Sequence, residues 1–210
     1  MTDPAFEGTL SRASDWGRTG VFLDVPNWET GLHDWRGQSV NSGPREESCV
    51  GVNELLNRSI RGIRLLIASH GRIVMARAYG RCYLGNGGAS PPKGPTSGLV
   101  AADRAGFVTS ARFVQNADSK KLEDIDMPLY RDVAAAVYRD RLDTVAVVSG
   151  DGDMAYVAET VKECGKRFVT LFWASSASHR LLSIADDFFE LGPTAPLGSG
   201  ADSVDQAVPL

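Results

Sequence analysis

Cysteine and histidine are scarce in this sequence, three of each in 210 residues. Cys49, Cys82 and Cys164 are odd in number, far apart and in no C-x-x-C pair, so they form neither a disulfide framework nor a zinc site. A reducing, cytoplasmic setting is the expectation. Long apolar runs are missing as well: nothing approaches the roughly 18 residues of a membrane span. The N-terminus, with Asp3 and Glu7, lacks the charged-then-apolar order of a signal peptide, so a soluble chain without a membrane partner is expected. Nor is there an excess of basic residues. Twenty-two Lys and Arg against 26 Asp and Glu give a net charge of −4, which speaks against a broadly basic nucleic-acid-binding surface. The charge is segregated, however. Between Val50 and Ser90 stand Arg58, Arg61, Arg64, Arg72, Arg77 and Arg81 against the single acid Glu54, and the acids gather from Glu123 onward.

What is present has the length of one domain. Residues 1–19 and 192–210 are polar or rich in Gly, Pro, Ser and Ala without periodicity, and both are expected to be flexible tails around an ordered domain at 20–191. The domain opens on a short buried strand, Val21-Phe22-Leu23, which runs into Asp24-Val25-Pro26-Asn27. Trp28 to Cys49 is turn-rich and reads as an inserted loop or a cover. Apolar residues recur at helical spacing over 51–69, with Arg58, Arg61 and Arg64 on another side of the same helix. A strand is expected over 72–79, a long loop over 84–98, a strand over 107–114, and a helix from Pro128 to about Arg141. Thr144 to Val148 is the clearest buried strand and leads directly into Ser149-Gly150-Asp151-Gly152-Asp153. A helix from Met154, stopped by Gly165, a strand over 168–173 and a helix over 178–190 complete the pattern. Strands alternating with helices indicate βαβ units, hence an α/β fold around a mainly parallel sheet.

In such sheets the ligand site lies beyond the carboxyl ends of the strands. Two strands here end in aspartates, Asp24 after the first and Asp151 with Asp153 after the clearest one, and a third acidic group, Glu123-Asp124-Ile125-Asp126, precedes a helix. Carboxylates that converge repel one another unless a cation neutralises them, and oxygen ligands without His or Cys suit Mg²⁺ or Mn²⁺ rather than zinc. Asp126, Asp151 and Asp153, each taken singly, are equally helix caps. D-x-D pairs also occur in glycosyltransferases, which usually need a longer chain. Asp24-Val25-Pro26-Asn27 lacks the second acid of haloacid-dehalogenase-type phosphatases. His33, His70 and His179 are isolated and carry no catalytic assignment.

Taken in order, Val21 to Asn27, Lys121 to Asp126 with Asp132, and Val147 to Asp153 resemble the NYN family of PIN-like nucleases. Its members open with a strand ending in D-x-x-N, carry a K-x-x-D type segment with a further Asp six residues on, and then show S-G-D-x-D-F. Gly165-Lys166 and the run Leu182 to Phe188 match the later Gly-Lys and L-x-x-x-A-D-x-F motifs, while Met154 replaces the usual Phe. The resemblance implies a three-layer PIN-like (Rossmannoid) fold and metal-dependent cleavage of RNA. It places a Mg²⁺ or Mn²⁺ cluster on Asp24, Asp126, Asp151 and Asp153. Asn27 and Ser149 are expected to support that cluster, and Lys121, Arg58, Arg61 and Arg64 to contact the phosphates of single-stranded RNA. The family also includes members known mainly as regulators, so a catalytically silent module binding RNA or protein stays open, as does a homo-oligomer.

Overall fold

The computed structural model describes residues 16–42, 52–83, 94–114 and 125–191. A seven-stranded sheet runs through them: β1 (Arg18–Asp24), β2 (Arg72–Tyr83), β3 (Gly94–Pro95), β4 (Val108–Val114), β5 (Thr144–Val148), β6 (Arg167–Phe172) and β7 (Asp187–Glu190). The strand order is β3-β2-β1-β5-β6-β7, with β4 on the other edge of β2, and every pairing except β2 with β3 is parallel. Because β1 and β5 are buried on both faces, their sequences read as unbroken apolar runs rather than alternating ones.

Among the described residues six helices cover the sheet: α1 (Val25–Ser42), α2 (Val52–Ala68), α3 (Ser97–Arg104), α4 (Asp126–Tyr138), α5 (Met154–Glu163) and α6 (His179–Ile184). Val21, Leu23 and Ala78 on the sheet pack with Trp28, Leu56, Ile60 and Leu99, so α1, α2 and α3 form one outer layer. Phe22, Tyr79, Val145 and Val147 pack with Leu129, Val133, Val157 and Leu181, so α4, α5 and α6 form the other. The fold is the expected α/β arrangement of three layers.

Three local expectations change. The stretch after Trp28, expected as a loop, is the 18-residue α1. Pro26 lies in its first turn, where a missing N–H costs nothing, and Asp24 precedes it as the cap. Val25, Trp28, Leu32 and Trp35 line its inner side. Gly31 lowers the helical propensity but is needed for contact, since a Cβ there would stand 2.5 Å from the Trp173 ring. The end of the long connection before residue 106 is also ordered: Thr96 caps α3, its side chain accepting from Leu99 N at 3.4 Å, and Glu29 accepts from Gly98 N at 2.6 Å. The last expected helix ends at Ile184. Ala185 is extended, the Asp186 carboxylate accepts from Phe168 N at 2.9 Å, and the chain turns there into β7 beside β6.

Of residues 16–19, expected in a tail, Trp16 and Thr19 are buried and Arg18 opens β1. Trp16 is 1 % exposed and stacks on His70 with ring centroids 4.8 Å apart, and its carbonyl accepts from Thr144 Oγ1 at 2.7 Å. A single aromatic in a Gly- and Ser-rich run has no periodicity to announce it.

Candidate functional site

The register of the central strands sets the site. Leu23 of β1 lies opposite Val148 of β5, so the residues that follow, Asp24 and Ser149, emerge side by side at the carboxyl edge. The Ser149 hydroxyl donates to Asp24 Oδ2 at 3.1 Å and accepts from Asp151 N at 3.1 Å. Asp24 Oδ1 accepts from Asn27 N at 3.2 Å, which caps α1, and Asn27 Oδ1 accepts from Gly150 N at 2.8 Å. Asp151 Oδ1 in turn takes the amide of Asp153 at 3.0 Å. Six residues from two strand-to-helix junctions are thereby held in one hydrogen-bonded chain, and Gly150 is required within it: a Cβ would fall 2.2 Å from Phe172 Cδ1.

Asp24 is 3 % exposed, and burial pushes its carboxyl up to about 6. The Asp151 charge pushes the same way, while the bonds from Asn27 and Ser149 and the guanidinium of Arg81 oppose the shift. The N-termini of α1, α4 and α5 all lie at this edge, since each of these helices follows the carboxyl end of a strand, and their dipoles favour negative charge there.

Of the acids expected in a cluster, Asp24 and Asp151 are joined through Ser149. Asp153 is exposed at the head of α5 and makes no side-chain capping bond, so it is not there as a cap. Asp126 is half-buried in the first turn of α4. Among the described residues no group of three or more His, Cys, Asp or Glu is gathered closely enough to hold an ion. Two interacting carboxylates at helix N-termini nonetheless suit Mg²⁺, which is usually bound through one or two carboxylates and keeps several waters. Asp132, six residues beyond Asp126, is spent elsewhere: it accepts from Arg77 at 2.7 Å and from Tyr79 Oη at 3.0 Å, fastening α4 to β2.

The basic residues are less well placed than the acids. Arg58, Arg61 and Arg64 ride on α2, in the layer across the sheet from α4 and α5. Arg58 pairs with Glu54 at 2.9 Å, Arg61 is exposed, and Arg64 donates to the Ala105 carbonyl and lies over the Phe107 ring. The guanidinium of Arg64 therefore ties α2 to the turn before β4 instead of facing solvent. Lys121 lies outside the described residues. Arg81, which carried no assignment in the sequence, stands within electrostatic reach of Asp24. The alternation Arg77-Tyr79-Arg81, three side chains on one face of a strand, is the signal that would have found it.

The NYN domain model matches residues 18–192. The chain belongs to the NYN domain family. This NYN domain therefore sits in a generally nuclease-like, PIN-like family. It is similar in fold to a crystal structure of a protein of unknown function from Vibrio parahaemolyticus RIMD 2210633, with a TM-score of 0.55 and 18 % sequence identity over 84 % of this chain and 93 % of that one. No curated protein matches the sequence. No helix among the described residues of the NYN domain is long and apolar enough to cross a membrane.

Proposed function

We propose that this NYN domain is a metal-dependent ribonuclease that hydrolyses phosphodiester bonds of single-stranded RNA at the carboxyl edge of β1 and β5. The observation that carries this reading is the joining of Asp24 and Asp151 through the Ser149 hydroxyl. Such an arrangement fixes two carboxylates at one point of a nuclease-like fold and leaves Asp151 Oδ2 outside the hydrogen-bonded chain. Asp24 and Asp151 would hold a Mg²⁺ or Mn²⁺ ion, with Asp126 and Asp153 completing the set directly or through water. Bound there, such an ion would supply Lewis-acid polarisation of the phosphate and lower the pKa of a water. Ser149 keeps Asp24 in a single orientation, Asn27 locks the Gly150 turn against α1, and the buried position of Asp24 excludes bulk water from one side of the site.

A second reading is a catalytically silent module that binds RNA or protein, and the absence of a three-acid group among the described residues favours it. The two separate in one experiment. Purified protein with labelled single-stranded RNA should cleave in Mn²⁺ and not in chelator, and Asp151→Asn should lose the activity. Mn²⁺ at about a hundred times its dissociation constant should also stabilise the parent by on the order of 2–3 kcal/mol in thermal melts, a gain that the variant largely loses. A parent that neither cleaves a broad panel of RNAs nor gains stability from Mn²⁺ leaves the silent module as the reading.

A further inference from the structure

From Asp153 at its head, the exposed residues of α5 are Tyr156, Glu159, Lys162 and Glu163, and Tyr156 is the one uncharged side chain in that row. Its ring is 54 % exposed, one helical turn beyond Asp153 at the carboxyl edge of the sheet. Tyr138, the other exposed tyrosine among the described residues, ends α4 and so stands at the opposite end of the same layer.

The Tyr156 ring is held in place. The Arg180 guanidinium of α6 lies over it, 4.2 Å from the ring centroid, and also reaches Glu159 at 3.8 Å. The start of α6 is in turn anchored to the acidic loop. Ser178 N donates to the Gly150 carbonyl at 2.9 Å, and a Cβ on Gly152 would stand 2.8 Å from Ser178 Oγ. Arg180 thereby comes within electrostatic reach of Asp153 as well. Since its charge is spent on the ring and on Glu159, Arg180 acts by fixing Tyr156. With the guanidinium on one face, the exposed surface of the ring is its other face and its edge.

A single ring among charged side chains does not suit the core of a protein interface, which is apolar and poor in charge. It suits a nucleobase, because every base has a π-face that stacks on an aromatic ring whatever the sequence.

We propose that Tyr156, backed by Arg180, is the base-stacking platform of this site and takes one base of a single-stranded RNA beside Asp153. The inference rests on the nuclease reading for its ligand, but its test does not require cleavage. Stacking gives a hold on RNA that needs no basic surface, in keeping with the net charge of −4.

The test is binding of a fluorescein-labelled single-stranded RNA to the full chain, in chelator, followed by anisotropy across a salt series. Tyr156→Ala should weaken binding about tenfold, whereas Tyr156→Phe, which keeps the ring, should bind as the parent does. The slope of log affinity against log salt should be the same in all three, because a stacked base releases no counterions. An abasic strand of the same length should bind the parent and Tyr156→Ala alike. Arg180→Lys keeps the charge and loses the planar cover of the ring, so it should weaken binding of the RNA and not of the abasic strand. Tyr138→Ala, the control for an exposed tyrosine elsewhere, should bind as the parent does. RNA binding unchanged in Tyr156→Ala overturns the proposal, as does a loss that the abasic strand shares in full, or a parent that binds no RNA. Cleavage by a parent whose Tyr156→Ala variant binds RNA equally well leaves the nuclease reading standing without the platform. A base-dependent loss in a chain that never cleaves RNA supports the platform and sinks the nuclease reading instead.

Discussion

Asp24 titrates near 3.8 in an unfolded chain and at about 6 in the fold, because burial disfavours its charge. Between those values the folded protein keeps a proton that the unfolded chain has released. Stability therefore falls as pH rises from about 4 through 6 and stays at the lower level above that. Asparagine at this position still caps α1 through its oxygen and carries no charge to desolvate. Asp24→Asn should accordingly show a flatter profile and, in chelator above pH 7, exceed the parent by about 1–3 kcal/mol. Denaturant titrations at pH 4.5 and 7.5 measure this. Parallel profiles for the two proteins would mean that the carboxylate is solvated and carries no strain.

At the scale of elements, the loop from Ser149 to Asp153 depends on the close passage of Gly150 over Phe172, a ring 2 % exposed and edge-on to Trp173. Gly150→Ala should cost about 1–3 kcal/mol through overpacking and, on the proposed nuclease reading, lower RNA cleavage, because the Asn27 bond to the same residue must shift with it. Equilibrium unfolding shows the first effect. A variant as stable as the parent would show that the ring moves aside freely. The elements recovered from sequence are those with a single strong signal: the apolar runs of β1, β5 and β6, the stripe of α2, and Gly165, which ends α5 at a φ of 69°. The missed ones had conflicting signals. In α1 the stripe from Val25 to Trp35 is interrupted by Gly31, and α3 is a single short stretch of small residues. In the run Leu181 to Phe189 the apolar residues suit either a helix or a strand, and the change from one to the other is fixed by contacts with β6, the Asp186 bond to the Phe168 amide and the pairing of β7. The pairing of Asp24 with Asp151 was readable because both end buried strands. The position of Arg58, Arg61 and Arg64 across the sheet from α4 and α5 was not legible, because amphipathic spacing says which side of a helix is polar, and nothing about which side of the sheet the helix occupies.

For the molecule as a whole, the ordered unit begins earlier than composition suggests. Trp16 closes the cluster at the amino ends of the strands, between His70 and Phe189, and Arg18 is locked to Asp143 by bonds of 2.8 and 2.9 Å. Removing residues 1–15 should leave the melting temperature nearly unchanged, whereas Trp16→Ala should cost about 3–5 kcal/mol. Thermal and denaturant unfolding of the two variants decides it, and a truncation as damaging as the substitution would place further contacts upstream. The position of β1 has a kinetic consequence too. The first strand of the described residues is a middle one, lying between β2 and β5, and its bonds to β5 join residues about 125 apart, as Asp24 and Ser149 are. At about 5–20 residues per second, a ribosome needs roughly 6–25 s to deliver the second neighbour after the first strand is complete. Throughout that interval one side of β1 is an apolar strand edge awaiting its partner, the kind of surface on which chains stick to one another. Slowing synthesis between residues 24 and 144 should therefore lower the soluble yield more than the same delay placed after residue 172, when the sheet already has its centre.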